Sequence, residues 1–393
     1  MTHTPRHVLP VIVLAQFAGT SLWFAINAVM PDLQRQMGWA ASDVGRLTSA
    51  LQFGFIAGTL VFAVLTIADR YSSRRVFLMC ALAGALCTLG ALLQVESFSA
   101  LLFWRACTGF FLAGIYPVGM KIAAQWFPKG LGVALGWLVG ALVLGSASAH
   151  GIRALTTDLP WSSVMLSVAG LAALGGLMLY VCVPEPLQKP SQAKQLQWRA
   201  LAVVWTDRRV RSSVLGYFGH MWELYTLWVL VPLILATRFE GTQLSLAAFA
   251  VIGVGAFGCI VGGLLAQRWG SAWVATLQLI LSGLCCVLAP WLLDAPLEWM
   301  MVWLMVWGVT AAGDSPQFST LTASNAPPQA VGSVLTLTNS IGFGISIVSI
   351  ELFTSLSASN NLGSLLPWLG VGPLLGIWAM RLLWRKQLGS DQH

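Results

Sequence analysis

Long apolar runs alternate with short polar ones along this chain. Runs of about 20 apolar residues, the length a helix needs to cross a bilayer, fall near 8–30, 44–68, 76–95, 99–122, 132–154, 161–183, 212–236, 244–266, 272–293, 298–322, 331–356 and 363–384. The pattern predicts an all-α polytopic membrane protein with twelve transmembrane helices. The one long polar stretch, 184–211, separates an N-terminal half (1–183) from a C-terminal half (212–393) of six spans each and reads as a cytoplasmic linker. Within it, Leu196 to Trp205 is apolar enough for a short helix on the membrane surface, with an ordinary solvated linker as the alternative.

The second half repeats the first in order and orientation. Trp104 to Pro117 matches Trp303 to Pro316 at an offset of 199, sharing the Gly109/Gly308, Gly114/Gly313 and Pro117/Pro316 positions. Leu65 to Ser72 matches Gly263 to Gly270, and Pro31 matches Pro232. Two parallel six-span repeats are a known transporter plan, with the substrate between the halves near the midplane. The mismatches matter as much. Arg105 faces Leu304 across the repeat, and Asp314 faces Ile115, so each copy carries a charge the other lacks. Pro117 and Pro316 predict broken helices at matching heights. Glycines at 132, 136 and 140, and at 258 and 262, allow close helix packing, either inside one half or along a seam between halves.

Composition agrees with the pattern: 57% of residues are hydrophobic and 9% charged, too few to cover a water-exposed surface. The net charge of +7 does not imply a nucleic-acid partner, because of where the cations lie. Sixteen of the 21 Lys and Arg residues fall in segments on the N-terminal side of the membrane, four fall opposite, and Arg105 lies within a span. That bias places both termini in the cytoplasm, in the cell inner membrane. The first span has no cleavage site and reads as a retained signal anchor. Trp39, Trp126, Trp161, Trp291, Trp299 and Trp368 sit near predicted span ends, as interfacial tryptophans do. The seven cysteines lack metal-ligand spacing and read as apolar fillers.

Twelve spans in two parallel halves, with Asp69-Arg70-Tyr71-Ser72-Ser73-Arg74-Arg75 between spans two and three, resemble the major facilitator superfamily (MFS) over essentially the whole chain. That family's loop signature is Gly-x-x-x-Asp-Arg-x-Gly-Arg-Arg; here Leu65 replaces the first glycine, Ser72-Ser73 the second, and one residue is added. Arg105-x-x-x-Gly109 resembles the family's fourth-span motif, linked in proton-driven members to proton movement. The antiporter motif of span five survives in part, as Gly136-x-x-x-Gly140-Ala141-x-x-Leu144-Gly145, without its proline. The resemblance implies that spans one, four, seven and ten line a central cavity. Asp69, Arg70, Arg74 and Arg75 would then form a charge cluster that ties helix ends together while the cytoplasmic side is closed; orientation alone is the simpler reading of Arg74 and Arg75.

A charge in the hydrocarbon costs at least roughly 2.5 kcal/mol, so each needs a partner, water or a task. Four qualify: Arg105, Glu223, Asp314 and Glu351, the last expected to reach the outer surface. His220 and Glu223 share a helical face with aromatic neighbours such as Tyr225. A carboxyl group in apolar surroundings disfavours its charged form, so Glu223 or Asp314 is expected to carry a proton, with a static pair as the alternative. Arg105 either binds an anionic group bidentately or neutralises one of these acids. Lys121 is expected to snorkel to the cytoplasm, with substrate guidance as the alternative. Gln16, Asn27, Gln317 and Asn339 supply neutral polar groups at membrane depth.

No zinc-protease, nucleophile-elbow or phosphate-loop pattern is present, which argues against an enzyme and against ATP as the energy source. No cofactor or metal is expected. The expected function is a secondary active transporter, monomeric, that moves a small anionic solute by alternating access coupled to H+, as a symporter ahead of efflux. The alternative is a proton-driven efflux pump for apolar or cationic compounds, with Glu223, Asp314 and tryptophans forming the pocket.

Overall fold

The computed structural model describes residues 5–40, 42–127, 131–185 and 196–390, and these form helices with no strand. In order they are α1 (Val8–Thr20), α2 (Ala25–Met37), α3 (Asp43–Val64), α4 (Ile67–Arg70), α5 (Ser73–Leu93), α6 (Phe98–Leu112), α7 (Tyr116–Trp126), α8 (Leu131–Leu155) and α9 (Ser162–Cys182). A 3₁₀ turn (Trp198–Leu201) and α10 (Ala202–Thr206) follow, then α11 (Arg208–Leu235), α12 (Gly241–Gly253), α13 (Gly255–Trp269) and α14 (Ser271–Leu292). The chain ends with α15 (Leu297–Gly313), α16 (Ser315–Asn325), α17 (Val331–Ser357), α18 (Leu362–Leu369) and α19 (Val371–Ser390). Lys129, Lys189 and Lys194 lie outside the described residues.

Eleven helical stretches are long and apolar enough to cross a membrane. The remaining predicted span, 298–322, is occupied by α15 and α16, which meet at Asp314.

The breaks have local causes. Pro117 and Pro316 stand at the starts of α7 and α16, where their missing N–H is no loss to the helix that follows but ends the one before. Pro31 and Pro232, the other repeated pair, lie inside α2 and α11. The break between α1 and α2 has no proline. There the Thr20 hydroxyl donates to the Gln16 carbonyl at 2.8 Å and the Ser21 hydroxyl to the Ala18 carbonyl at 2.7 Å, side-chain bonds that compete with the backbone ladder.

Glycine lets the two halves be built alike. A Cβ at Gly109 of α6 would collide with the Leu51 carbonyl of α3, and one at Gly308 of α15 with the Val251 carbonyl of α12. The same interhelix approach is thus made twice.

The halves meet along α8 with α12 and α13, and along α3 with α17. On the first seam a Cβ at Gly136 would lie 3.1 Å from the Cys259 carbonyl oxygen, and one at Gly140 would lie 3.2 Å from that of Ala256. The glycine spacing on span five therefore faces the other half. Gly136→Leu is expected to force α8 and α13 apart; cross-linking of cysteines placed along α8 and α13 should fall, and transport should drop by roughly tenfold or more, whereas Gly132→Leu, where a Cβ meets open space, should be tolerated.

Candidate functional site

A cavity of about 620 Å³ lies between the halves. It reaches the surface at the end that carries the linker, where Pro328 and Gln329 are exposed, and runs inward to Ser319 and Asn339. These two residues also border a narrow cleft that continues toward the middle, lined by Tyr116, Tyr217, Met221, Tyr225, Trp228, Ser315 and Phe343 among others. Tyr116 and Ser315 occupy the same position of the repeat, each beside the proline that starts α7 or α16. The broken helices therefore bring equivalent positions to opposite walls.

Beyond the cleft the two halves are sealed by aromatic rings. Trp23, in the break between α1 and α2, stacks on Tyr225 of α11 with centroids 5.7 Å apart and planes at 17°. Phe55 of α3 lies 5.0 Å from Trp23 and 4.7 Å from Phe343 of α17, and Phe24 meets Trp228 edge to face at 5.7 Å. Past this layer the Ser346 hydroxyl donates to Gln52 Oε1 across the halves at 3.0 Å. The Thr157 and Thr242 hydroxyls lie 2.8 Å apart, again across the halves. One end is open and the other shut.

The intramembrane charges sit behind these walls. Arg105 is almost fully buried and donates from Nη1 to the Leu22 carbonyl at 3.1 Å and from Nη2 to the Trp23 carbonyl at 2.5 Å. Among the described residues it lines neither cavity nor cleft and pairs with no acid, Asp314 and Glu223 included. The break in the first span frees carbonyls that a guanidinium can satisfy, so the fork is used on backbone.

His220 pairs with Asp314 and not with Glu223: its Nδ1 lies 2.7 Å from Asp314 Oδ1, both side chains being essentially unexposed. Asp314 occupies the junction of α15 and α16, between cavity-lining Ala312 and Ser315. The pair is one layer behind the wall, with the Tyr217 ring 5.9 Å from that of His220. Glu223 turns into the C-terminal half, where Oε1 accepts from Trp307 Nε1 at 2.6 Å and Oε2 from the Ser282 hydroxyl at 2.9 Å. On α11 the cavity face is Tyr217, Met221, Leu224, Tyr225 and Trp228, so neither Glu223 nor Asp314 forms the pocket, as the efflux alternative supposed.

Of the neutral candidates, Tyr225 and Asn339 line the cleft. Gln16 is buried against Gly119 of α7, Asn27 Nδ2 donates to Thr48 Oγ1 at 2.9 Å, and Gln317 is buried on α16 away from both linings. Glu351 is half-buried and makes no ion pair among the described residues.

The predicted charge cluster stays inside the N-terminal half. Asp69 pairs with Lys121 at 2.5 Å, both on the cavity wall near its mouth, and Lys121 also donates to the Ala68 carbonyl. Lys121 thus turns its ammonium group toward the linker end and is held there by Asp69. Arg74 pairs with Glu185 at 3.2 Å and donates to the Val183 carbonyl at 2.6 Å. Arg70 donates to Thr66 Oγ1 at 3.0 Å, and Arg75 is exposed. These contacts fasten α4 to α7 and α5 to α9; among the described residues none of them crosses to the other half.

A helical membrane protein in two like halves, with a cavity between them open at one end and sealed at the other, is built as a carrier. The chain belongs to the Major Facilitator Superfamily, whose family model matches residues 12–350; its members are transporters and not enzymes. A curated relative, the "Chloramphenicol resistance protein" of Streptomyces lividans, is 28% identical over 271 residues, which is 67% of each chain. Among solved structures, the human organic anion transporter MFSD10 (TETRAN) superposes with a TM-score of 0.73 at 17% identity, over 95% of this chain and 99% of that one.

Proposed function

We propose that this transporter exports a small, uncharged, largely aromatic solute in exchange for protons. The observation that carries this reading is the cleft itself: among its lining residues are three tyrosines, a tryptophan, a phenylalanine, two serines and an asparagine, and no charged side chain. Aromatic walls with a few converging hydroxyl and amide groups suit a flat, neutral molecule with hydrogen-bonding substituents. Arg105, the cation that would select an anion, lies off the path, and the cation at the mouth, Lys121, is matched by Asp69. The likeness to a chloramphenicol resistance protein supports both the direction and the solute class, since resistance by a carrier means removal from the cell.

With the linker end cytoplasmic, as the cation bias argues, the open cavity loads from inside. The Asp314–His220 pair is the proton site in this reading: it abuts the cavity wall through Ser315 and Tyr217, and it sits at a helix junction that can move as its charge changes. Buried acid–histidine pairs inside a membrane are the usual material of proton relays.

The test is transport in proteoliposomes under an imposed pH gradient, with chloramphenicol, tetraphenylphosphonium and benzoate compared side by side. Movement of chloramphenicol alone is expected; gradient-driven movement of benzoate in its place would overturn the reading. Asn339→Leu with Tyr217→Phe should weaken binding of the neutral solute by roughly tenfold, the worth of about one to two hydrogen bonds.

A further inference from the structure

The segment that leads into α11 has two faces. On one, Ala200 and Val204 pack against Val210, Val214, Ala326, Ala330 and Val334, at the end of the C-terminal half where α16 passes into α17. The Gln197 backbone N–H donates to the Ser333 hydroxyl at 3.0 Å, which pins the segment there. The opposite side carries Trp198 and Trp205, 58% and 72% exposed, with Arg199, Ala202, Arg208 and Arg209 also exposed.

This face carries a net positive charge. None of Arg199, Arg208 and Arg209 forms an ion pair among the described residues. The acid between them, Asp207, is already committed, capping α11 by accepting from the Arg209 and Val210 N–H groups at 2.7 and 3.2 Å. The membrane-crossing helix begins at Arg208, which sets the segment at headgroup level. Tryptophan is enriched at that depth because its ring is apolar while its N–H is polar, and arginine binds phosphate bidentately.

We infer that Trp198, Trp205, Arg199, Arg208 and Arg209 form a docking face for acidic phospholipid headgroups of the cytoplasmic leaflet. The rings enter the interface and the guanidinium groups take the phosphates, each cation near such a surface favouring acidic over zwitterionic lipid by about fivefold. Because Leu196, just upstream, lines the mouth of the cavity, the lipid-held face also anchors one lip of the opening.

The full-length protein serves for the test. Cys182, exposed, is replaced by serine and Ala202→Cys is labelled with an environment-sensitive fluorophore. The protein is then placed in nanodiscs of phosphatidylcholine alone or with 30% phosphatidylglycerol. The acidic discs should shift the emission to the blue and shield the label from an aqueous quencher by about fivefold or more. Inorganic phosphate added to the neutral discs should do neither. The triple variant R199Q/R208Q/R209Q, its folding verified by solute binding, should give the neutral-disc signal in both. Equal signals from wild type in the two discs, a phosphate response, or a triple variant that behaves as wild type would each overturn the proposal.

Discussion

Asp314→Asn is expected to abolish proton-driven accumulation while leaving solute exchange in the absence of a gradient. The carboxyl group is fully buried at the α15–α16 junction, 2.7 Å from His220, and does not itself touch the cavity. Removing its capacity to ionise should therefore uncouple the proton without emptying the solute site. In proteoliposomes, gradient-driven flux should fall by roughly tenfold or more, with counterflow reduced by no more than about twofold. His220→Gln should act in the same direction, since it removes the partner of the same proton. Glu223→Gln should keep the gradient-driven flux, because the Trp307 and Ser282 donors hold that acid inside the C-terminal half. If Glu223→Gln uncoupled transport and Asp314→Asn did not, the proton would have to be assigned to Glu223.

Arg105→Ala should be strongly destabilising. It strips donors from the Leu22 and Trp23 carbonyls in a place that water does not reach. Two buried unpaired acceptors cost roughly 2–6 kcal/mol in all. The effect should not stop at stability. Trp23 is set by this turn, and its stacking on Tyr225 and packing on Phe55 and Phe343 make up much of the seal. The variant should show a thermal midpoint several degrees lower and a cysteine at position 52 more open to reagents added from the sealed side. Arg105→Lys, with one compact ammonium in place of the fork, should recover part of the stability. An unchanged melting temperature in Arg105→Ala would remove this role.

The mutant pair also separates two kinds of intramembrane charge. Asp314 and His220 pair next to the wall, where the proposed proton exchange would take place, whereas Arg105 serves backbone carbonyls. Sequence spacing cannot distinguish them, because both appear as lone polar residues in apolar runs.

What the sequence by itself determined is the part that depends on local chemistry and on repetition. Apolar run length marked the spans, eleven of which are long and apolar enough to cross a membrane, since a helix needs about 20 apolar residues to do so. The matched prolines marked the breaks before α7 and α16, where each sits in the first turn of the following helix, whereas Pro31 and Pro232 lie inside α2 and α11. In the repeat Ile115 and Asp314 share one position and Tyr116 and Ser315 the next, and in the structure the first pair is buried while the second lines the cleft. Only the tertiary structure decided the partners. His220 and Glu223 lie on one face of α11 three residues apart, yet His220 reaches α15–α16 and Glu223 reaches α14 and α15. The break at Ser21–Phe24 has no proline to announce it, and the ring contacts of Trp23, Tyr225, Phe55 and Phe343 join residues up to hundreds of positions apart. Those pairings follow from how four helices cross, and crossing is set by packing among distant segments, which no local pattern records.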